Sequence, residues 1–188
     1  MSEPAENHRR DAGIFSAVVD GADPASWDNP APVEGWTARD VVDHLVEWLP
    51  SLLAAGSDVV LPEGPKVADD PAGAWAHHRD AVQAFLDDPA SQDRMITNQH
   101  FGSMPVPVAI DQFYTADVFM HAWDLAMATG QPIDLGEERC AATLAGMEPL
   151  DEMLRNSGQY GPRVDVPEDA SAQDKLMGFI GRDPLAWR

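Results

Sequence analysis

The sequence predicts a mainly α-helical bundle, folded as one domain over residues 1–188, with one short β-hairpin and extra helices at its C-terminal end. Three observations carry that expectation. Apolar residues recur at three- and four-residue spacing in successive segments, and Pro or Gly closes each one. A single stretch, residues 94–108, breaks the helical pattern and alternates around a glycine instead. No internal repeat, low-complexity linker or compositional boundary divides the chain, and 188 residues suffice for a full core.

Residues 8–20 place Ile14, Phe15, Val18 and Val19 on one helical face, and Gly21-Ala22-Asp23-Pro24 ends that helix. Residues 27–35 contain Pro30 and Pro32 and read as an extended loop. Thr37-Ala38-Arg39-Asp40 has the form of a capping box opening a second helix, with an apolar arc of Val41, Leu45, Trp48, Leu49 and Leu52. His44 lies at the edge of that arc, about 40° from Trp48. Pro50 is expected to kink or end the regular part and Gly56 to stop it. After a loop over 57–70, a third helix runs from Pro71 to Asp87, offering Trp75, Val82, Phe85 and Leu86 to a core. His77 and His78 on that helix, and His100 beyond it, are expected on exposed surface or at a pocket mouth.

Residues 95–97 and 104–106 flank a turn at Gly102 and read as a hairpin whose prolines confine its second strand to an edge. A long fourth helix covers 109–129 and stops at Gly130. A fifth helix covers 136–155, with Leu144, Met147, Leu150 and Leu154 as its stripe. Residues 158–170 read as irregular, and Ser171 or a residue beside it is expected to cap a last short helix through Leu176, Phe179 and Ile180.

A net charge of -20 argues against nucleic acid and anionic membrane as partners, since phosphate binding needs a basic surface. No run approaches the length of a transmembrane helix, and the acidic N-terminus lacks the regions of a signal peptide. The single Cys140 cannot form an internal disulfide, which fits a reducing cytoplasm; beside Ala141 and Ala142 it reads as a small core residue. Lys66 and Lys175 are the only lysines, a usage that fits a GC-rich bacterial source. A monomer or a homodimer is expected.

The fourth helix carries the chemistry. Asp117, His121 and Asp124 fall within roughly 60° of one another, while Val118, Phe119, Met120, Trp123, Leu125 and Met127 occupy the rest of the circumference. A helix apolar almost all round is buried, so its polar stripe must be satisfied by a metal ion, an ion pair or a bound polar ligand. Asp117 and His121 are four apart, on one face and about 6 Å apart along the axis, close enough to share an ion. His44 on its separate helix would complete a set of two histidines and one carboxylate, which leaves a coordination position open, as catalytic sites do. Against this stands a plain alternative, that His44 and His121 are core-edge histidines satisfied by Asp117 and Asp124. The same donor set describes a non-haem iron oxygenase, but no strand-rich barrel pattern supports that. Dinucleotide, phosphate-loop, nucleophile-elbow, H-E-x-x-H and C-x-x-C motifs are absent from the sequence. The remaining Met and Trp residues read as packing.

Two stretches, Gly35-Trp36-Thr37-Ala38-Arg39-Asp40-Val41-Val42-Asp43-His44-Leu45 and Asp117-Val118-Phe119-Met120-His121-Ala122-Trp123-Asp124-Leu125-Ala126, resemble the metal-binding domain of mycothiol-dependent maleylpyruvate isomerases, in the DinB-like superfamily. The tail Ala170-Ser171-Ala172-Gln173-Asp174-Lys175-Leu176 with Gly181-Arg182-Asp183-Pro184 resembles an actinobacterial branch of metal-binding proteins in that group. The resemblance implies an up-down-down-up four-helix bundle with a divalent metal near one end. Zinc is the expected ion, nickel or iron the alternatives, and His44, Asp117 and His121 its ligands. The family's carboxylate ligand is Glu, and here it is the shorter Asp117. Asp124 matches a position that contacts the thiol cofactor. The isomerases carry a further C-terminal domain at their active site, for which this chain has no comparable length.

The resemblance thus implies a metal-dependent thiol transferase or thiol-dependent isomerase. It would use mycothiol as the small-molecule thiol and act on a small electrophilic substrate. A non-catalytic metal-binding or sensor protein is the alternative. The enzyme reading expects an apolar pocket over an open metal position, and the alternative expects a closed one.

Overall fold

The computed structural model of the chain describes residues 2–187. Among the described residues the fold is mainly α with one two-stranded antiparallel sheet, consistent with the DinB-like class that the sequence predicts. The chain forms two compact units: one holds the residues up to Ala31 and Gly35–Gln131, the other Pro32–Glu34 and the residues from Pro132 onward. Among the described residues no helix is long and apolar enough to cross a membrane.

The first unit is a four-helix bundle in which α1 (Glu3–Gly21) and α2 (Ala38–Gly56) each pack on both α3 (Pro71–Asp87) and α5 (Ala116–Ala128). Helix α1 begins a turn earlier than the apolar pattern suggests. Pro4 sits in its first turn, where its fixed φ suits helix entry and its missing N–H costs nothing, and Glu3 and Glu6 complement the helix dipole there. The capping box forms as expected: Thr37 Oγ1 accepts from the Asp40 amide at 3.3 Å, and Asp40 Oδ2 accepts from the Thr37 amide at 2.7 Å. Helix α2 then runs through Pro50 to Gly56 without ending, because Leu49 and Leu53 are buried on either side of the proline and hold the turn in place. Helix α3 keeps the expected bounds, capped by Asp70, which accepts from the Gly73 amide at 2.9 Å.

Strands β1 (Met95–Asn98) and β2 (Gly102–Pro105) pair antiparallel from Met95 opposite Pro105 to Asn98 opposite Gly102. Gly102 takes φ +75°, which an L side chain resists. Val106, expected in the second strand, instead opens α4 (Val106–Ala109). The long fourth helix is therefore not uniform. Between α4 and α5 the chain makes a π turn over Ile110–Thr115, bringing Tyr114 and Thr115 into the core. Helix α5 ends at Ala128, with Thr129 as its C-cap and Gly130 just beyond at φ +68°. The core of this unit includes Phe15, Leu45, Leu49, Trp75, Phe119 and Leu125, all fully buried.

In the second unit, α6 (Glu137–Met147) packs on α8 (Ala172–Phe179). The single expected helix over 136–155 is broken: a 3₁₀ turn over Glu148–Leu150 separates α6 from α7 (Asp151–Asn156). Pro149 in that turn has no N–H to continue the ladder. Of the expected stripe, Leu150 is exposed and Leu144, Met147 and Leu154 are half-buried. Cys140 is the buried residue of α6, and burial, then Glu137 and Asp134, pushes its thiol up to about 11, so it serves as packing and not as a nucleophile. Ser171 caps α8 by accepting from the Asp174 amide at 3.1 Å. Arg155 and Arg163 place their guanidinium groups 5.0 and 4.4 Å from the Phe179 ring centre, and both pair with Asp151.

Candidate metal centre

Helices α2 and α5 pack together, and their packing brings His44 beside Asp117 and His121. His44 Nε2 lies 2.9 Å from Asp117 Oδ2, and His121 Nε2 lies 3.4 Å from Asp117 Oδ1. One donor atom from each residue falls within 4.8 Å of the other two. Ligand atoms around a tetrahedral ion with bonds of about 2.0–2.2 Å sit about 3.3 Å apart, so this cluster is close to coordinating geometry before any rearrangement. Two imidazoles and a carboxylate form a borderline donor set that suits zinc, iron or nickel.

Asp124 supports the cluster from behind. It is fully buried, and its Oδ2 lies 2.9 Å from His121 Nδ1. A neutral His121 that donates its Nδ1 proton to Asp124 leaves the Nε2 lone pair facing Asp117. Carboxylate partners of this kind fix the tautomer and ring orientation of histidine ligands. Asp124 therefore stands on the far side of the imidazole from the Nε2 donor.

Two residues that the sequence suggested only as packing belong to the site. Trp48 donates its indole N–H to Asp117 Oδ2 at 3.0 Å. Trp36 stacks against His121 at 5.8 Å between ring centres and tilts over His44 at 5.0 Å. The signal for Trp48 was available, since it lies one helical turn after His44 on the same face. Trp36 precedes the capping box in a loop, where helical spacing says nothing.

Burial alone would raise the Asp117 pKa. The charge of His121, the hydrogen bond and charge of His44, and the Trp48 N–H together outweigh it and hold the carboxyl below its ordinary value. Asp117 is thus an anion at neutral pH, the form a metal ligand needs.

The other histidines divide. His77 is half-buried, with Nε2 3.3 Å from the Pro62 carbonyl, and His100 is exposed beside Gln99. His78, expected at the surface, is buried on α3, because it shares the inward face of Trp75 and Val82 at three- and four-residue spacing. Burial, then His77, lowers its pKa to about 4. His8 on α1 is fully buried, and burial, then His78, lowers its pKa to about 3. Two surface depressions belong to the second unit, and no cluster residue lines either.

Residues 9–126 match the protein family described as the mycothiol maleylpyruvate isomerase N-terminal domain. Two uncharacterised proteins, MT0763 and Rv0738, from two strains of Mycobacterium tuberculosis are each 28% identical to this chain, over 96% of it and 98% of their own length. No solved structure matches the chain. The match spans both the helix that carries His44 and the helix that carries Asp117 and His121.

Proposed function

The chain belongs to the mycothiol maleylpyruvate isomerase N-terminal domain family, and on that premise we propose that it is a metal-dependent enzyme using a low-molecular-weight thiol, mycothiol, against a small electrophile. The reaction is S-transfer or thiol-assisted isomerisation. The observation that carries this reading is the donor set of His44, Asp117 and His121 with a buried carboxylate behind one imidazole. A divalent ion held there, zinc foremost and nickel or iron as alternatives, would lower the pKa of a bound thiol and make thiolate available at neutral pH.

The residues divide the work. His44 and His121 offer Nε2 lone pairs and Asp117 a carboxylate oxygen. Asp124 keeps the His121 proton on Nδ1, so the ring stays a ligand and not an acid. Trp48 occupies one lone pair of Asp117 Oδ2 and limits how the carboxylate can turn. Trp36 lies against both imidazoles and keeps water from their faces. The lone, buried Cys140 supports a reducing cytoplasmic setting.

The test is metal content by mass spectrometry on untagged protein, with His44→Ala and His121→Ala beside it. The proposal expects near-stoichiometric metal in the wild type and loss in both variants, followed by thiol consumption with a generic electrophile. Wild-type protein that takes up no metal after incubation with zinc, nickel and iron would leave a buried polar cluster and overturn the reading. A second reading, a metal-binding or sensor protein without catalysis, draws on the cover that Trp36 gives the imidazoles. It expects metal but no thiol transfer across the same electrophile panel.

A further inference from the structure

A second group of polar side chains, distinct from His44, Asp117 and His121, lies inside the first unit. His8 on α1 and Tyr114 in the π turn are fully buried, and His78 on α3 is 4% exposed. His8 Nε2, His78 Nε2 and the Tyr114 hydroxyl have no protein hydrogen-bond partner. The Tyr114 ring centre is 5.8 Å from that of His8 and 5.7 Å from that of His78. Three orphaned polar atoms around one phenol ring form a concentrated exception, because buried polar groups are almost always paired and each unpaired one is costly.

The chemistry of the three groups limits what they can hold. Burial keeps both imidazoles neutral near pH 7 and pushes the phenol pKa well up, so the group carries no charge to attract an ion. Two imidazole nitrogens can each serve as donor or acceptor according to tautomer, and a phenol hydroxyl can do both. His8 has one nitrogen engaged, with Nδ1 3.2 Å from Thr115 Oγ1. A buried water typically makes about three hydrogen bonds to otherwise unsatisfied groups, which matches the three atoms in number and character.

We propose that His8, His78 and Tyr114 form a built internal water site that ties α1, α3 and the π turn together. The water supplies the missing partner of each atom and fixes the rotation of the Tyr114 hydroxyl. The site also backs the metal centre. The Tyr114 ring lies 5.5 Å from that of Trp48, whose N–H holds Asp117. The π turn is what makes the site, since it directs Tyr114 and Thr115 inward together.

The test has two arms on the full-length protein, and neither depends on metal or activity. The first is a high-resolution crystal structure, which should show solvent density within hydrogen-bond distance of His8 Nε2, His78 Nε2 and Tyr114 Oη. The second is the thermal midpoint of Tyr114→Phe. An orphaned hydroxyl in a dry core is pure cost, so its removal would leave the midpoint unchanged or raise it. A water-bridged hydroxyl is a partner, so its removal should lower the midpoint by several degrees and weaken the solvent density. Dry density at the three atoms, or a Tyr114→Phe midpoint at or above wild type, would overturn the proposal.

Discussion

Two pairs of histidines share one helical bundle and are treated in opposite ways. His44 and His121 each face a carboxylate, Asp117 for one and both Asp117 and Asp124 for the other. His8 and His78 each lie against the Tyr114 ring, and burial drives both toward the neutral form, helped by His78, Arg9 and Arg79 for His8 and by His77 for His78. Burial therefore does not by itself make a histidine a ligand. His8 is more deeply buried than His44, yet the partly exposed His44 is the one with an anion beside it. What separates the candidate ligand set from the core polar group here is the carboxylate, placed by an i, i+4 step on α5 and held ionised by His121, His44 and Trp48.

The largest effect that can break this comparison is loss of the ion. His121→Ala should take bound metal to background and abolish thiol transfer, with mass spectrometry and a thiol-consumption assay as the two readouts. Full transfer activity in that variant would sink the mechanism. His78→Ala should leave metal content at the wild-type level; a loss there would erase the distinction between the two pairs.

Acid stability is the next largest effect. The folded-state pKa values of His8 and His78, about 3 and about 4, lie below the unfolded value of 6.5. The unfolded chain therefore binds protons that the folded one does not, and stability falls as pH drops below 6.5. Each histidine contributes about 1.4 kcal/mol per pH unit until its folded pKa is reached. Asp117, whose pKa is depressed, loses its stabilising contribution only below the ordinary carboxylate range, so the two windows separate. Urea denaturation of metal-free protein between pH 7 and 4.5 should show the slope, and His78→Gln should reduce it by roughly half. An identical slope in the variant would mean that His78 titrates in the folded protein.

A smaller effect tests the carboxylate behind the ligand. Asp124→Asn keeps the shape but cannot hold the His121 tautomer as an anion does, and metal affinity should fall about 10–100-fold while the stoichiometry at saturating metal persists. Competition with a chromophoric chelator measures this. No change would assign Asp124 to packing alone. The smallest effect concerns the start of α2. Thr37→Ala removes one half of the capping box and should cost about 1 kcal/mol of stability, read by urea denaturation, with metal content unchanged.

Much of this arrangement was legible in the sequence because it obeys one helical period. Asp117, His121 and Asp124 fall on one stripe of α5, Thr37 and Asp40 spell the cap, and α3 runs from Pro71 to the Asp88-Pro89 step that closes it. His44 was placed by its position at the rim of an apolar arc. Other features escaped for physical reasons. The π turn, Ile110-Asp111-Gln112-Phe113-Tyr114-Thr115, holds no Pro or Gly, so no local breaker marks its change of winding. Pro149 broke a helix that the apolar stripe alone seemed to continue, while Pro50, the more suspect of the two, did not, because buried leucines hold its turn. His78 was masked by its polar neighbours His77 and Arg79, although its spacing from Trp75 and Val82 already pointed inward. Trp48 was within reach of helical spacing from His44, whereas Trp36 became a site residue only when two distant segments met, which no local pattern records.

The π turn over Ile110–Thr115 also bears on how such a chain can vary in length. It sits between α4 and α5 as a locally overlong winding, and α5 beyond it carries Asp117 and His121. Deleting one residue within the turn would restore an ordinary i→i+4 ladder there. Because the wide turn absorbs its extra residue, the segments before and after it would keep nearly their present orientation, and only the side chains inside the turn would be re-aimed. The stretch is thus a natural indel point. Loss of one residue there would re-aim the side chains of the turn, Tyr114 among them, while the spacing from Asp117 to His121 stays untouched.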